Sequence, residues 1–327
     1  MHWPLPIRIL LWPLSFLYGL LARSKTTLYR ASILRPKRLH GAVVSIGNIT
    51  VGGTGKTPMV MWLAEKYVNE GKSVVILSRG YHGTGESSDE VRLMRRRLGK
   101  RVRFGIGPNR YEQGRALERD SAVDLFLLDD GFQHLQLARD VDIVMIDGSK
   151  RLKDEWLLPA GRLREPVSAC SRADLVVVTR KTDVAPVEAP LTFYAQARVL
   201  GFRKGRTNSE VYSLDEIGPG PFFSFCGIGN PQAFAEDLKR WHVPVAGSRV
   251  FRDHHKYSAK DLQVIETDAI NAGASGLIST EKDEQNLPEW NSRLPVYIVT
   301  IDLEIASAGE FVAAIDRKLS SRRSSRS

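Results

Sequence analysis

Between Ala42 and Thr179, short apolar runs alternate with polar-and-apolar stretches of helical length. The runs Ala42–Gly47, Ser73–Ser78, Asp124–Leu128, Val141–Ile146 and Asp174–Thr179 are rich in Val, Ile and Leu and nearly continuous in their apolarity. Strands buried on both faces of a parallel sheet read this way, because neither face meets water. Pro58–Glu70 and Asn109–Asp120 are long enough to be connecting helices. The pattern predicts a doubly wound, mostly parallel α/β sheet. A Pro-containing stretch from Val184 to Pro190 marks a boundary, and beyond it a second, shorter α/β series follows. Its strands are expected at Pro221–Cys226, up to Phe251, at Gly276–Ser279 and at Val296–Ile301, with helices at Gln232–Arg240 and Ala259–Ala272. The expected organisation is therefore residues 29–188 as one α/β domain, 189–318 as a smaller one, and 319–327 as a disordered basic tail.

The segment Trp3–Leu21 breaks the pattern, being apolar almost throughout. Its uninterrupted part, Ile9–Leu21, is 13 residues long and contains Pro13. A span needs ~20 residues, so an anchor lying in the membrane plane is the expectation for residues 1–28. Aromatic residues at positions 3, 12, 16 and 18 and basic residues just downstream suit a headgroup interface. A cleaved leader or a helix packed on the domain are the alternatives.

Charge supports the same division. The net charge is +10, yet residues 1–41 hold seven basic residues and no acidic one, and the last eleven residues hold five more basic ones. The body of the chain is thus close to neutral. Nucleic-acid binding wants a basic stripe on a folded module, so no nucleic-acid partner is expected; an anionic membrane surface met through residues 1–41 is. Cys170 and Cys226 match no metal-ligand or redox spacing and read as reduced core residues.

Candidate chemistry begins at Thr50, Gly52, Gly53, Thr54, Gly55, Lys56 and Thr57, placed between a strand and a helix. Glycines there let successive backbone N–H groups face phosphate oxygens, a lysine reaches the β and γ phosphates, and a threonine hydroxyl can meet Mg²⁺. This is a P-loop with Thr50 in the place of the first glycine. A P-loop calls for a carboxylate at the end of a neighbouring strand, and Asp129 and Asp130 close the run from Leu125. Gln133 and His134 follow at the same sheet edge.

These motifs, with Ser78-Arg79-Gly80-Tyr81, the stretch Leu157–Glu165, Gly227–Pro231, Asp253-His254 and Thr280–Asp283, resemble the tetraacyldisaccharide 4′-kinase family. The resemblance runs from Gly47 to Asp283. It implies transfer of the γ-phosphate of ATP to the 4′-hydroxyl of a tetraacylated glucosamine disaccharide 1-phosphate, a late step of lipid A biosynthesis. Mg·ATP would be the cofactor. Lys56, Thr57 and Gln133 would serve the nucleotide, and Thr57, Asp129, Asp130 and Glu165 the metal. Asp89 would be the catalytic base, assisted by His254, while Tyr81, Arg110 and His134 would contact substrate. Val91 stands where the family has proline. The bland alternatives are that Asp89 caps a helix and that His254 is a surface-loop histidine. A monomer on the cytoplasmic face of a bacterial inner membrane is expected, where ATP meets an acylated acceptor. The rival reading is a P-loop GTPase or ATPase switch, for which Thr179–Asp183 is a loose guanine-motif look-alike.

Overall fold

The computed structural model describes residues 3–80, 88–180, 191–205 and 210–324. In chain order the elements are α1 (Leu5–Arg30), β1 (Ala42–Gly47), α2 (Lys56–Asn69), β2 (Val74–Ser78), α3 (Asp89–Leu98), β3 (Arg103–Ile106), α4 (Arg110–Asp120), β4 (Leu125–Asp129), β5 (Val141–Asp147) and β6 (Leu175–Thr179). Then come β7 (Thr192–Lys204), β8 (Phe222–Cys226), α5 (Pro231–Arg240), β9 (Val245–Val250), α6 (Ala259–Asn271), β10 (Gly276–Thr280), α7 (Glu281–Glu284), β11 (Val296–Ile305) and α8 (Ala308–Ser324).

The chain forms two compact units, and neither is contiguous. The first takes the residues up to 80, Arg97–Gln196, and the chain from Glu304 onward; the second takes residues 88–96 and Ala197–Leu303. The single boundary drawn at 188/189 from the sequence does not anticipate this interleaving: the start of α3 belongs with the later unit and α8 with the earlier one.

In the first unit β1 pairs in parallel with β4 and β5, β2 with β3 and β4, and β5 with β6, giving the order β3-β2-β4-β1-β5-β6. Every residue of β1, β2, β4, β5 and β6 is buried, as the unbroken apolar runs imply. One face packs Val43, Val75, Leu77, Phe126 and Leu128; the other packs Ile49, Phe132, Val144, Ile146, Val176 and Val178. In the second unit β8 pairs in parallel with β9 and β10, and β10 with β11.

Three expectations need correction. The apolar N-terminal helix is 26 residues long, because the helix continues past the apolar stretch to Arg30 and tolerates Pro13 inside it. The tail expected from residue 319 instead continues α8 to Ser324; Lys318 bonds Asp174 at 3.0 Å and Arg322 donates to the Arg139 carbonyl at 2.8 Å, so these side chains are anchored. Strands β3 and β7 were not foreseen, since β3 contains glycine and arginine and β7 alternates buried with exposed positions instead of forming an apolar run.

Candidate active site

The first unit builds a phosphate-binding edge. In the parallel register Ile46 on β1 lies beside Asp129 on β4, so the two carboxyl ends emerge together. The loop leaving β1 turns through Gly52 (φ 114°) and Gly55 (φ 87°), left-handed conformations that glycine adopts without Cβ strain, and Gly55 is the N-cap of α2. Buried Asn48 donates to the Thr54 hydroxyl at 3.0 Å, and Thr179 Oγ1 donates to the Thr54 carbonyl at 3.3 Å. Thr50 bridges to Leu163, while the Val51 N–H meets the Arg162 carbonyl at 2.8 Å and the Arg164 N–H meets the Ile49 carbonyl at 2.7 Å. The loop is held on both sides before any ligand arrives. A shallow recess lies beside it between Thr50, Gly53, Thr54, Asp147, Lys150 and Arg162.

Lys56 opens α2, two residues before the expected start at Pro58, with Thr57 in the same first turn. Its Nζ is 3.5 Å from Asp130 Oδ1. Arg164 Nη1 reaches both oxygens of Asp130 at 2.8 Å. Burial alone would raise the Asp130 pKa, but the charges of Lys56 and Arg164 outweigh it and hold the carboxyl below its usual range. Asp130 sits at φ 50°, a strained conformation for a non-glycine residue. Asp129 is buried, and its Oδ2 accepts from Ser78 Oγ at 3.1 Å.

Gln133 Nε2 donates to the Asn48 carbonyl and to Glu165 Oε1, each at 2.9 Å. Glu165 is otherwise engaged by Arg172, whose guanidinium meets Oε2 at 2.5 Å and Oε1 at 2.8 Å and also lies over the Phe132 ring. Both Glu165 oxygens are engaged by Arg172 and Gln133, so in this structure Glu165 braces Gln133. Arg172 carried no sequence signal, lying outside every motif. Among the described residues no group of three or more His, Cys, Asp or Glu side chains is gathered as a metal site. Mg²⁺ needs few protein ligands, since phosphates and water complete its octahedron, and the residues that could contribute a hydroxyl and a carboxylate are Thr57 and Asp129.

A basic patch flanks this edge. Arg110 is buried, and its Nη1 is 3.3 Å from His134 Nδ1. A guanidinium can only donate, so Nδ1 accepts and the ring proton sits on Nε2. Burial, then the charges of Arg110, Arg139, Lys25 and Arg79, depress the His134 pKa to about 4. Among the described residues Arg110 Nε, which is buried, has no hydrogen-bond partner. Tyr81 lies outside the described residues, as do Lys181 to Asp183 of the guanine-motif look-alike.

The second unit holds the other candidates. Ser88, not Asp89, caps α3: Ser88 Oγ accepts from the Val91 N–H at 3.3 Å. Asp89 is thereby free of the capping role and its Oδ2 lies 2.8 Å from His254 Nδ1. His254 is at φ 59° on the loop after β9, with its N–H bonded to the Gly227 carbonyl at 3.0 Å. That loop is organised by Asp283, 1% exposed, which accepts from the Gly227 N–H and Tyr257 hydroxyl at 2.7 Å and from Thr280 Oγ1 at 2.6 Å. Lys282 bonds Asp253 at 3.0 Å and pairs with Glu90 at 3.4 Å. Burial pushes the Asp89 pKa up, but hydrogen bonds from His254 and Asn286 and the charges of His254 and Lys282 pull it down to about 2. The bond to Asp89 raises the His254 pKa against burial and Lys282. The sequence reading named both residues but placed Asp89 in the other domain.

Helix α1 packs a narrow stripe on the first unit. Ser15 Oγ donates to the Leu157 carbonyl and accepts from the Ala160 N–H, each at 3.0 Å, and Tyr18 donates to the Arg164 carbonyl at 3.0 Å. Leu5, Ile9, Leu10, Leu14, Phe16 and Leu21 are each more than half exposed. By length and hydropathy the helix could cross a membrane.

Comparison with known proteins bears on these features. The family model for tetraacyldisaccharide-1-P 4′-kinase matches residues 7–320. The tetraacyldisaccharide 4′-kinase of Koribacter versatilis is 35% identical over 94% of this chain and 99% of its own length. That of Halothermothrix orenii is 36% identical over 95% of this chain and 93% of its own. A crystal structure of the "apo" form of LpxK from Aquifex aeolicus in complex with ATP superposes with a TM-score of 0.76 at 28% identity, covering 96% of this chain and 99% of that one.

Proposed function

The chain belongs to the tetraacyldisaccharide-1-P 4′-kinase family, and we propose from that premise how its residues carry the reaction. It is an ATP-dependent kinase that transfers the γ-phosphate to the 4′-hydroxyl of a tetraacylated glucosamine disaccharide 1-phosphate in lipid A biosynthesis. One observation carries the assignment of the nucleotide edge: Lys56 at the head of α2 reaches Asp130 at the end of the adjacent strand. Such a lysine is where a triphosphate would bind, exchanging its pairing from the carboxylate to phosphate oxygens while Arg164 keeps Asp130 ionised. The amides from Gly52 to Thr57 face the phosphates, and Gln133, braced by Glu165, fixes the run-in to the loop. Thr57 and Asp129 are the residues that would hold Mg²⁺, which supplies charge neutralisation at the phosphates when bound.

Asp89 is the proposed base. A sugar hydroxyl is a poor nucleophile at neutral pH, so an ionised carboxylate that accepts its proton during attack lowers the barrier. Asp89 is ionised at any physiological pH, and His254 orients it: Lys282 can only donate to Nε2, so Nδ1 carries the ring proton and donates it to Asp89 Oδ2. The basic patch of Arg79, Arg110 and Lys25 with neutral His134 suits a phosphate-bearing acceptor. Through α1 the enzyme would lie on the cytoplasmic face of the inner membrane as a monomer; bonds to Ser15 and Tyr18 in mid-helix favour lying on the bilayer over crossing it. The decisive experiment is ADP formation with and without tetraacyldisaccharide 1-phosphate in detergent micelles. Acceptor-dependent ADP is expected; phosphate release indifferent to the acceptor would point to the switch-protein reading.

A further inference from the structure

Asn286 lies after α7, outside every motif that carries the family resemblance, yet its carboxamide touches the proposed base. Nδ2 donates to Asp89 Oδ2 at 2.9 Å, the same oxygen that faces His254. Its orientation follows from chemistry: Arg92 Nη2 lies 2.9 Å from Asn286 Oδ1, and since a guanidinium only donates, the amide oxygen must face Arg92 and the N–H must face the carboxylate. Asn286 is itself fixed by its backbone, with its N–H on the Asp283 carbonyl at 2.8 Å and its carbonyl accepting from the Tyr257 N–H at 3.3 Å. Asp283 is the buried carboxylate that also ties down the Gly227 amide and so the His254 loop. The two donors to Asp89 Oδ2 are thus set by one scaffold.

We propose that Asn286 is a positioning residue for Asp89: with His254 it saturates Oδ2, so that Oδ1, which among the described residues has Arg92 at a longer 3.3 Å, is the oxygen that takes the acceptor's proton. This rests on the reading of Asp89 as base. The division of labour is physical. Both groups donate to the ionised carboxylate, but the amide stays neutral at every pH whereas the charge of the His254 imidazole titrates. The charged groups facing Asp89 are Arg92 on its own helix, His254 on the loop after β9 and Lys282 on α7, with Glu90 and Asp253 opposing around Lys282.

The test uses the full-length enzyme in micelles with saturating ATP. Asn286→Ala is expected to lower kcat about ten-fold with the ATP KM unchanged, a loss typical of one misoriented group on a base. Asn286→Asp, of equal size, sets a second carboxylate against Asp89; like charges share a proton, so the acidic limb of kcat/KM should climb into the pH 5–7 range. A wild-type pH profile for Asn286→Asp would overturn the proposal. So would an Asn286→Ala loss that is just as large in an Asp89→Ala background, because a residue acting through Asp89 has nothing left to act on there. Wild-type turnover in Asp89→Ala alone would instead remove the base reading itself.

Discussion

Lys56 and Asp130 pair at 3.5 Å, and under the proposed nucleotide binding this pairing would give way to phosphate, so each residue's worth depends on the other. Replacing Lys56 by Met removes a charge that meets phosphates most strongly as transfer proceeds. Loss of one preorganised donor of this kind typically lowers turnover 10²–10³-fold, about 3–4 kcal/mol, and Lys56→Met is expected to do so in the ADP-formation assay while its melting temperature stays near wild type, since Arg164 still neutralises Asp130. His134 gives a prediction in pH. Its folded pKa lies at about 4, below the ordinary 6.5, so as acid is added the unfolded chain takes up the proton first. Stability should therefore fall as pH drops from about 6.5 toward 4, with no further effect of this group below. His134→Gln should flatten the fall in melting temperature over that window; an unchanged slope would assign the acid sensitivity elsewhere. Both residues were legible in the sequence because their motifs are local. Asn286 and Arg172 were not: Asn286 lies 197 positions from Asp89, and no local pattern announces a contact across that much chain.

Helices α1 and α3 show where sequence reading stops at the element scale. The apolar residues of α1 were plain, but they surround the helix so fully that the informative feature is the polar and small minority. Arg8, Ser15, Tyr18, Gly19, Ala22 and Thr26, joined by Leu11, fall on one face at helical spacing, and this is the stripe turned to the protein. At Gly19 an added Cβ would stand 2.7 Å from Leu157 Cδ1, so glycine is there for close approach. Gly19→Leu should therefore lift the helix from the 157–164 loop. Overpacking of this kind destabilises by roughly 1–3 kcal/mol. Because that loop carries Arg164, the partner of Asp130, kcat should drop with it, and an intact kcat beside a lowered melting temperature would show the loop to be independent of α1. For α3 the sequence does not reveal its allegiance: Arg92 donates to Asn286 Oδ1 at 2.9 Å and Arg96 pairs with buried Glu284 at 2.7 Å, contacts that bind the helix to residues much later in the chain.

For the whole molecule the strongest asymmetry is one of surface. An apolar helix flanked by basic residues sits on a body that is nearly neutral, and its outward side chains have no protein partner to cover them. Deleting α1 would be the obvious way to test membrane attachment, but it would also strip Ser15 and Tyr18 from the loop that holds Arg164, confounding binding with catalysis. The outward leucines separate the two. Leu10, Leu14, Leu17 and Leu21 lie on one face and are 52–78% exposed. Converting all of them to Gln leaves the inward stripe intact. If each leucine gains about 1 kcal/mol on entering the interface, the set is worth about 4 kcal/mol, or a partition coefficient lowered by nearly three orders of magnitude. Sedimentation with vesicles containing anionic lipid should show that loss, and raised salt should weaken only what the basic residues contribute. Turnover on acceptor dispersed in detergent should stay near wild type, since no side chain at the phosphate edge has moved. A variant that still sediments with vesicles would mean that some other surface makes the attachment.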